Sequence, residues 1–224
     1  MIYTCSYKNF NTSLLKGVSI SKDKGKDADW MGEVYLNLAP KEEFFRVWKN
    51  NIGKVNDVIN NTFYIEQYYK QVLSDLDPLK VYRDLDYSFL LCYEDNDEFC
   101  HRHIVAAWFE LFLGLEVVQV VEVKVKGLYK EEVSRQKYFF IKDTLERIIK
   151  ENINMRGFSN LRSLYLFNQG EMLEKKANEL ELDNKNNKTC NRLYQTAAFL
   201  RSEADYEEEK YNENLVLNKN KKDH

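Results

Sequence analysis

The sequence holds no apolar run that approaches the ~20 residues needed to cross a bilayer. Its opening Met-Ile-Tyr-Thr-Cys-Ser lacks the basic and apolar segments of a secretory signal. A cytoplasmic protein with no membrane partner is the expectation. Net charge is also scarce, only -3 over 224 residues, which argues against a general nucleic-acid coat. No internal repeat and no phosphate-loop glycine pattern occurs, and the sequence names no cofactor. Cysteine is limited to Cys5, Cys92, Cys100 and Cys190. A chain this long without an export signal does not need disulfides, so free thiols are expected.

What is present is enough apolar material for a core: 44% hydrophobic and 14% aromatic residues, which excludes wholesale disorder. The charge is uneven. Residues 1–122 carry 13 Lys and Arg against 19 Asp and Glu, and residues 123–224 carry 20 against 17, so the halves stand at -6 and +3.

The pattern along the chain alternates. β-prone runs at 2–5, 17–21, 87–92 and 116–123 are separated by helical stretches at 40–48, 63–75, 78–84 and 99–113, with a possible helical turn at 9–15. Thr62 and Asp77 are the expected caps of the second and third helices. The segment 30–40 is rich in large apolar residues and reads as a packed lid. After residue 123 the pattern becomes helical, at 131–151, 160–182 and 189–212, with a linker at 183–188 and a frayed tail from 218. The expected fold is α/β, a small mostly parallel sheet flanked by helices in residues 1–123, followed by a C-terminal helical appendage in 124–224.

Chemistry concentrates in residues 89–103. A strand-like run ends at Cys92, an acidic loop follows, and a helix opens on Cys100-His101-Arg102-His103. With Asp97 as cap, Cys100 lies in the first turn, where free N–H groups and the helix dipole favour an anion or a thiolate. Cys100 is the candidate nucleophile and His101 its proton-transfer partner; the alternative is a small core cysteine and a capping imidazole. Cys92 and Glu94 fall on one side of the chain, although a carboxylate opposes ionisation of the thiol. Arg102 points away from the apolar face, and His103 has the weakest case for a role. Strand ends form the ligand edge of a parallel sheet. The expected ligand-binding residues are therefore Cys5, Ser6, Tyr7, Ser19, Ser21, Cys92, Glu94 and Arg102. No metal is expected: the spacing of Cys92, Cys100 and His101 matches no common zinc finger, adjacent Cys100 and His101 do not readily aim at one ion, and a fourth ligand is missing.

Several motifs in order carry a resemblance: Ile2-Tyr3-Thr4 with Ser6-Tyr7, Val18-Ser19-Ile20-Ser21, Leu38-Ala39-Pro40, residues 64–73, and above all Leu90-Leu91-Cys92-Tyr93-Glu94 with Phe99-Cys100-His101-Arg102-His103. On these, residues 1 to about 122 resemble the domain-of-unknown-function family 488, a group of small bacterial and phage-borne domains. The resemblance implies an α/β domain whose Cys-x-Glu and Cys-His-Arg segments meet at one edge. It implies no settled activity and does not extend to the C-terminal part.

Two functions from different classes follow. One is a small-ligand domain that binds a nucleotide-like or other anionic group at the Cys-His helix N-terminus. The other is a non-enzymatic interaction or regulatory protein acting through its C-terminal helices. Self-association is the first expectation for those helices, and binding of another protein or a nucleic acid the second.

Overall fold

A computed structural model describes residues 1–10, 15–95, 98–115, 117–124, 127–130, 135–182 and 187–222. Six strands form one sheet: β1 (Tyr3–Ser6), β2 (Lys16–Ser19), β3 (Glu33–Val34), β4 (Ser88–Cys92), β5 (Val118–Lys124) and β6 (Gly127–Lys130). Their order is β3-β2-β4-β1-β5-β6. All neighbours run parallel except β5 and β6. The central strand β4, Ser-Phe-Leu-Leu-Cys, is buried at every position, which is why it reads as a continuous apolar run rather than an alternating one. Parallel register sets Ser6 beside Cys92, and Ser19 beside Leu91.

The sheet is flanked by α1 (Glu42–Asn51), α2 (Asp57–Tyr68), α3 (Pro78–Asp84), α4 (His101–Leu113) and α5 (Arg135–Asn152). α4 is buried along His101–Phe109 and ends at Gly114, which takes the left-handed φ of 64° that closes a helix. Phe44, Trp48, Tyr64, Tyr68 and Phe99 form a continuous aromatic cluster joining α1, α2 and the start of α4. Glu110 ties α4 to α5, accepting from Tyr138 Oη at 2.8 Å and from Lys142 Nζ at 2.5 Å.

Contacts divide the chain into two compact units, Met1–Asn152 and Ile153–His224. α5 therefore groups with the sheet and not with the later helices. The second unit pairs α6 (Leu161–Leu182) with α7 (Asn187–Lys222). Tyr194 Oη donates to Asn178 and Glu181, Arg201 bonds Glu174, and the amides of Ser159 and Asn160 donate to Glu208, so the two helices run antiparallel.

Several local expectations change. Thr62 is not a cap: the cap of α2 is Asn56, six residues earlier, whose side chain accepts from Val58 and Ile59. Asp77 does cap α3, accepting from Leu79 and Lys80 with Pro78 in the first turn. Segment 30–40 is not simply a packed lid, because it contributes edge strand β3 and leaves Met31 95% exposed, while Leu38 and Ala39 are buried. α7 continues as helix past residue 218 to Lys222, where fraying was expected. The greater part of the expected turn at 9–15, the cap Asp97 and linker positions 183–186 lie outside the described residues.

Candidate functional site

Strand β4 delivers Cys92 at its carboxyl end, and α4 begins directly after Cys100. Cys100 is the N-cap residue, extended at φ -145° and ψ 145° and without a side-chain capping bond, so its thiol is free to turn inward. The short connection brings four donors together. One ligand atom each from Cys92, Glu94, Cys100 and His101 lies within 4.8 Å of the others. The thiols of Cys92 and Cys100 donate to the same oxygen, Glu94 Oε2, at 3.0 and 2.9 Å. His101 Nδ1 is 3.7 Å from Cys92 Sγ and 3.9 Å from Cys100 Sγ. Its Nε2 sits 3.1 Å from the carbonyl oxygen of Ile20, just beyond β2. That contact makes Nε2 the protonated nitrogen and turns the Nδ1 lone pair toward the sulfurs.

Arg102 does not point to solvent. It is fully buried, and Nη1 donates to the carbonyl oxygen of Glu94 at 2.6 Å, which holds the acidic loop against the helix. His103, whose case for a role is the weakest, is also buried, and burial followed by the charge of Arg102 lowers its pKa to about 3. It stays neutral at any ordinary pH.

These contacts set the protonation of the cluster. Burial, then the neighbouring Cys100, raise the Glu94 carboxyl to about 7. Burial works against a charged Cys100, but the hydrogen bond from Cys92 and the charges of Arg102 and His101 outweigh it and hold the thiol well below its usual range. Burial alone would depress His101, yet Cys100 and Glu94 raise it. Burial and the Cys100 contact push Cys92 up. These directions favour ionisation at Cys100 over Cys92, and a proton held on Glu94 and His101.

A cavity of about 780 Å³ leads to this cluster through Glu94. Its wall carries Phe45, Trp48, Phe99 and Phe140, together with the buried His103. Its charged lining is Lys49 and Lys137 against Asp57, Glu94 and Glu98. Among the described residues, Glu94 is the member of the cluster that lines it.

The other expected ligand residues lie elsewhere. Cys5 pairs in register with Leu91 and packs with Phe10 and Phe89, on the face of the sheet opposite Cys92. Ser6 contacts Asp95 at 3.5 Å. Tyr7, Ser19 and Ser21 form a closed hydroxyl network, with Tyr7 Oη 2.5 Å from Ser19 Oγ and 2.7 Å from Ser21 Oγ, and Ser21 donates to Asp23 at 3.0 Å. Asp23 also accepts from Tyr93. None of these residues lines the cavity. Nor do the objections to a metal hold geometrically: Cys100 and His101 converge although adjacent, because the first is extended and the second helical, and Glu94 supplies a fourth donor. Phe45, Trp48 and Phe140 were not singled out as site residues, since an aromatic at helical spacing is ordinarily core and nothing in the sequence marks these three otherwise.

The cluster and the end of the strand that carries it lie within the stretch that matches a family model. Residues 5–111 match DUF488-N3a. That family is described as the active DUF488-N3 subclade. The DUF488-N3a match runs from Cys5, within β1, through most of α4 and includes Cys92, Glu94, Cys100 and His101. It ends before β5, and α5, α6 and α7 lie beyond it. No curated protein and no solved structure matches the chain.

Proposed function

We propose that this protein is an enzyme for a small ligand with a flat, aromatic or heteroaromatic body, held in the cavity beside α1 and α4, with Cys100 as nucleophile and His101 as its proton-transfer partner. The observation that carries the reading is that Cys100 and His101 gather behind Glu94, which lines an aromatic-walled cavity. A thiolate beside an imidazole is the arrangement nucleophilic catalysis requires, the sulfur attacking and the imidazolium returning a proton to the leaving group. The word "active" in the family description is consistent with it. A nucleotide-like ligand suits the wall, where Trp48 and Phe99 rings lie 5.6 Å apart. Lys49 and Lys137 stand against Asp57, Glu94 and Glu98 in the lining, so the aromatic wall rather than a net positive charge supports recognition of the ligand.

The test uses the full chain and a panel of nucleobases, nucleosides, nucleotides and sugar phosphates. Base-containing compounds should raise Tm and quench Trp48, the one tryptophan of the three on the cavity wall. Trp48→Ala should abolish both signals. Iodoacetamide should label Cys100 of the metal-free protein faster than Cys5. No response across the panel, together with Cys100 labelling no faster than Cys5, overturns the reading.

A second reading, an interaction role for the C-terminal helices, is favoured by one feature: consecutive Leu215, Val216 and Leu217 on α7 are 42%, 58% and 57% exposed. Self-association through this run is the form we infer. Sedimentation of wild type and Val216→Asp at matched concentrations decides it, a monomer in both cases being the result that removes it.

A further inference from the structure

Four side chains that chemistry recognises as metal ligands are gathered here from two segments, and the arrangement is more specific than a nucleophile and its base require. Catalysis by Cys100 needs one sulfur, one imidazole and a route for substrate. The cluster holds a second thiol and a carboxylate at nearly equal distances as well.

We propose that Cys92, Glu94, Cys100 and His101 form a tetrahedral binding site for a zinc-class divalent cation, and that the bound ion shields Cys100 from electrophiles. Bonds of ~2.0 to 2.3 Å from zinc to nitrogen, oxygen and sulfur imply ligand-to-ligand edges of roughly 3.3 to 3.8 Å. The sulfurs stand 3.7 and 3.9 Å from His101 Nδ1, and 3.0 and 2.9 Å from Glu94 Oε2. An ion at the centre requires the carboxylate to move away from the sulfurs by about half an ångström, outward toward the cavity that it already lines, and the pairs that stand wider, within 4.8 Å, to close around the ion.

Two features outside the four ligands fit the same use. A metal-bound histidine ordinarily gives its second N–H to a carbonyl or carboxylate, which fixes its tautomer and orientation. His101 meets this with Nε2 facing Ile20 O at 3.1 Å, leaving Nδ1 for the ion. Two thiolates and a carboxylate around a dication leave one negative charge, and Arg102, buried and bonded to the Glu94 carbonyl, supplies the opposing one. Two sulfurs and one imidazole select zinc or cobalt over magnesium and calcium. Loading displaces the remaining thiol protons to solvent.

Shielding rests on the proposed role of Cys100, whereas the metal site does not. The experiment separates them. Cobalt(II) titrated into the metal-free full chain should give, at one equivalent, thiolate-to-cobalt charge transfer and the visible bands of a tetrahedral centre. Zinc should bleach both. Cys92→Ser and Cys100→Ser should each lower the charge-transfer intensity by about half, and Cys190→Ser should leave it unchanged. Circular dichroism checks that each variant folds. Glu94→Gln, which keeps both sulfurs, should retain charge transfer but weaken binding by about tenfold or more. A cobalt spectrum like that of the free ion, or a tetrahedral spectrum that survives both Cys92→Ser and Cys100→Ser, overturns the metal site. Zinc that binds as described but leaves iodoacetamide labelling of Cys100 unchanged overturns the shielding.

Discussion

Single residues in this protein divide between those whose burial is plainly structural and those whose burial needs a reason. Cys5 belongs to the first kind. It packs among Phe10, Phe89 and Leu91, and burial pushes its thiol up to about 11 from an ordinary 9.0. A pKa raised on folding means the native state holds its proton more tightly, so the associated stability is complete below pH 9 and is lost as pH rises through 11. Two pH units correspond to about 3 kcal/mol. Urea denaturation from pH 8 to 11 should therefore show wild type losing stability relative to Cys5→Ala by that order. Arg102 is of the second kind: it is wholly buried and donates to the Glu94 carbonyl. Arg102→Met removes that donor and should cost about 1 to 3 kcal/mol in chemical denaturation, the penalty of a buried carbonyl left unmet. In the sequence Arg102 sits where a helix face turns from the core, and nothing in the local spacing foretells its burial or its bond to the Glu94 carbonyl.

At the scale of elements, most strands and helices were legible and their ends were not. The run Phe89-Leu90-Leu91 declares a buried strand by composition alone, and the Asp77-Pro78 pair declares a helix start by capping chemistry. α2 shows the limit. Thr62 and Asn56 are both acceptable caps, and Asn56 serves because its side chain reaches Val58 N at 2.9 Å while Asn60, one turn on, donates to Trp48 O of α1 at 2.9 Å. Asn56→Ala should lower stability by about 1 kcal/mol and Thr62→Ala by less, measured side by side by thermal denaturation. β3 was hidden for another reason. Two residues are too few to show a period, and edge pairing with β2 decides the element. In the α6–α7 pair, Gly170 marks a close approach, since a Cβ there would meet Ala197 O at 3.1 Å. Gly170→Val, which adds two methyl groups beyond that Cβ, should cost roughly 1 to 3 kcal/mol through overpacking of the α6–α7 pair.

For the whole molecule, the division into Met1–Asn152 and Ile153–His224 makes cooperativity a measurable property. Calorimetry should resolve two transitions, and Gly170→Val should lower one of them while leaving the other in place; a single transition shifted as a unit counts against two independent cores. The sequence by itself determined the class of fold, the strand that carries Cys92, the helix that begins at Cys100 and the switch to helices after the sheet. Those features follow from local periodicity and capping, which neighbouring residues set between themselves. Only the tertiary structure decided that Glu94 meets both thiols, that Cys5 turns to the other face of the sheet, that the hydroxyls of Tyr7, Ser19 and Ser21 satisfy one another, and that an aromatic cavity ends at the cluster. Each of these depends on strand order and on the path of a loop, and neither is written in the spacing of residues along the chain.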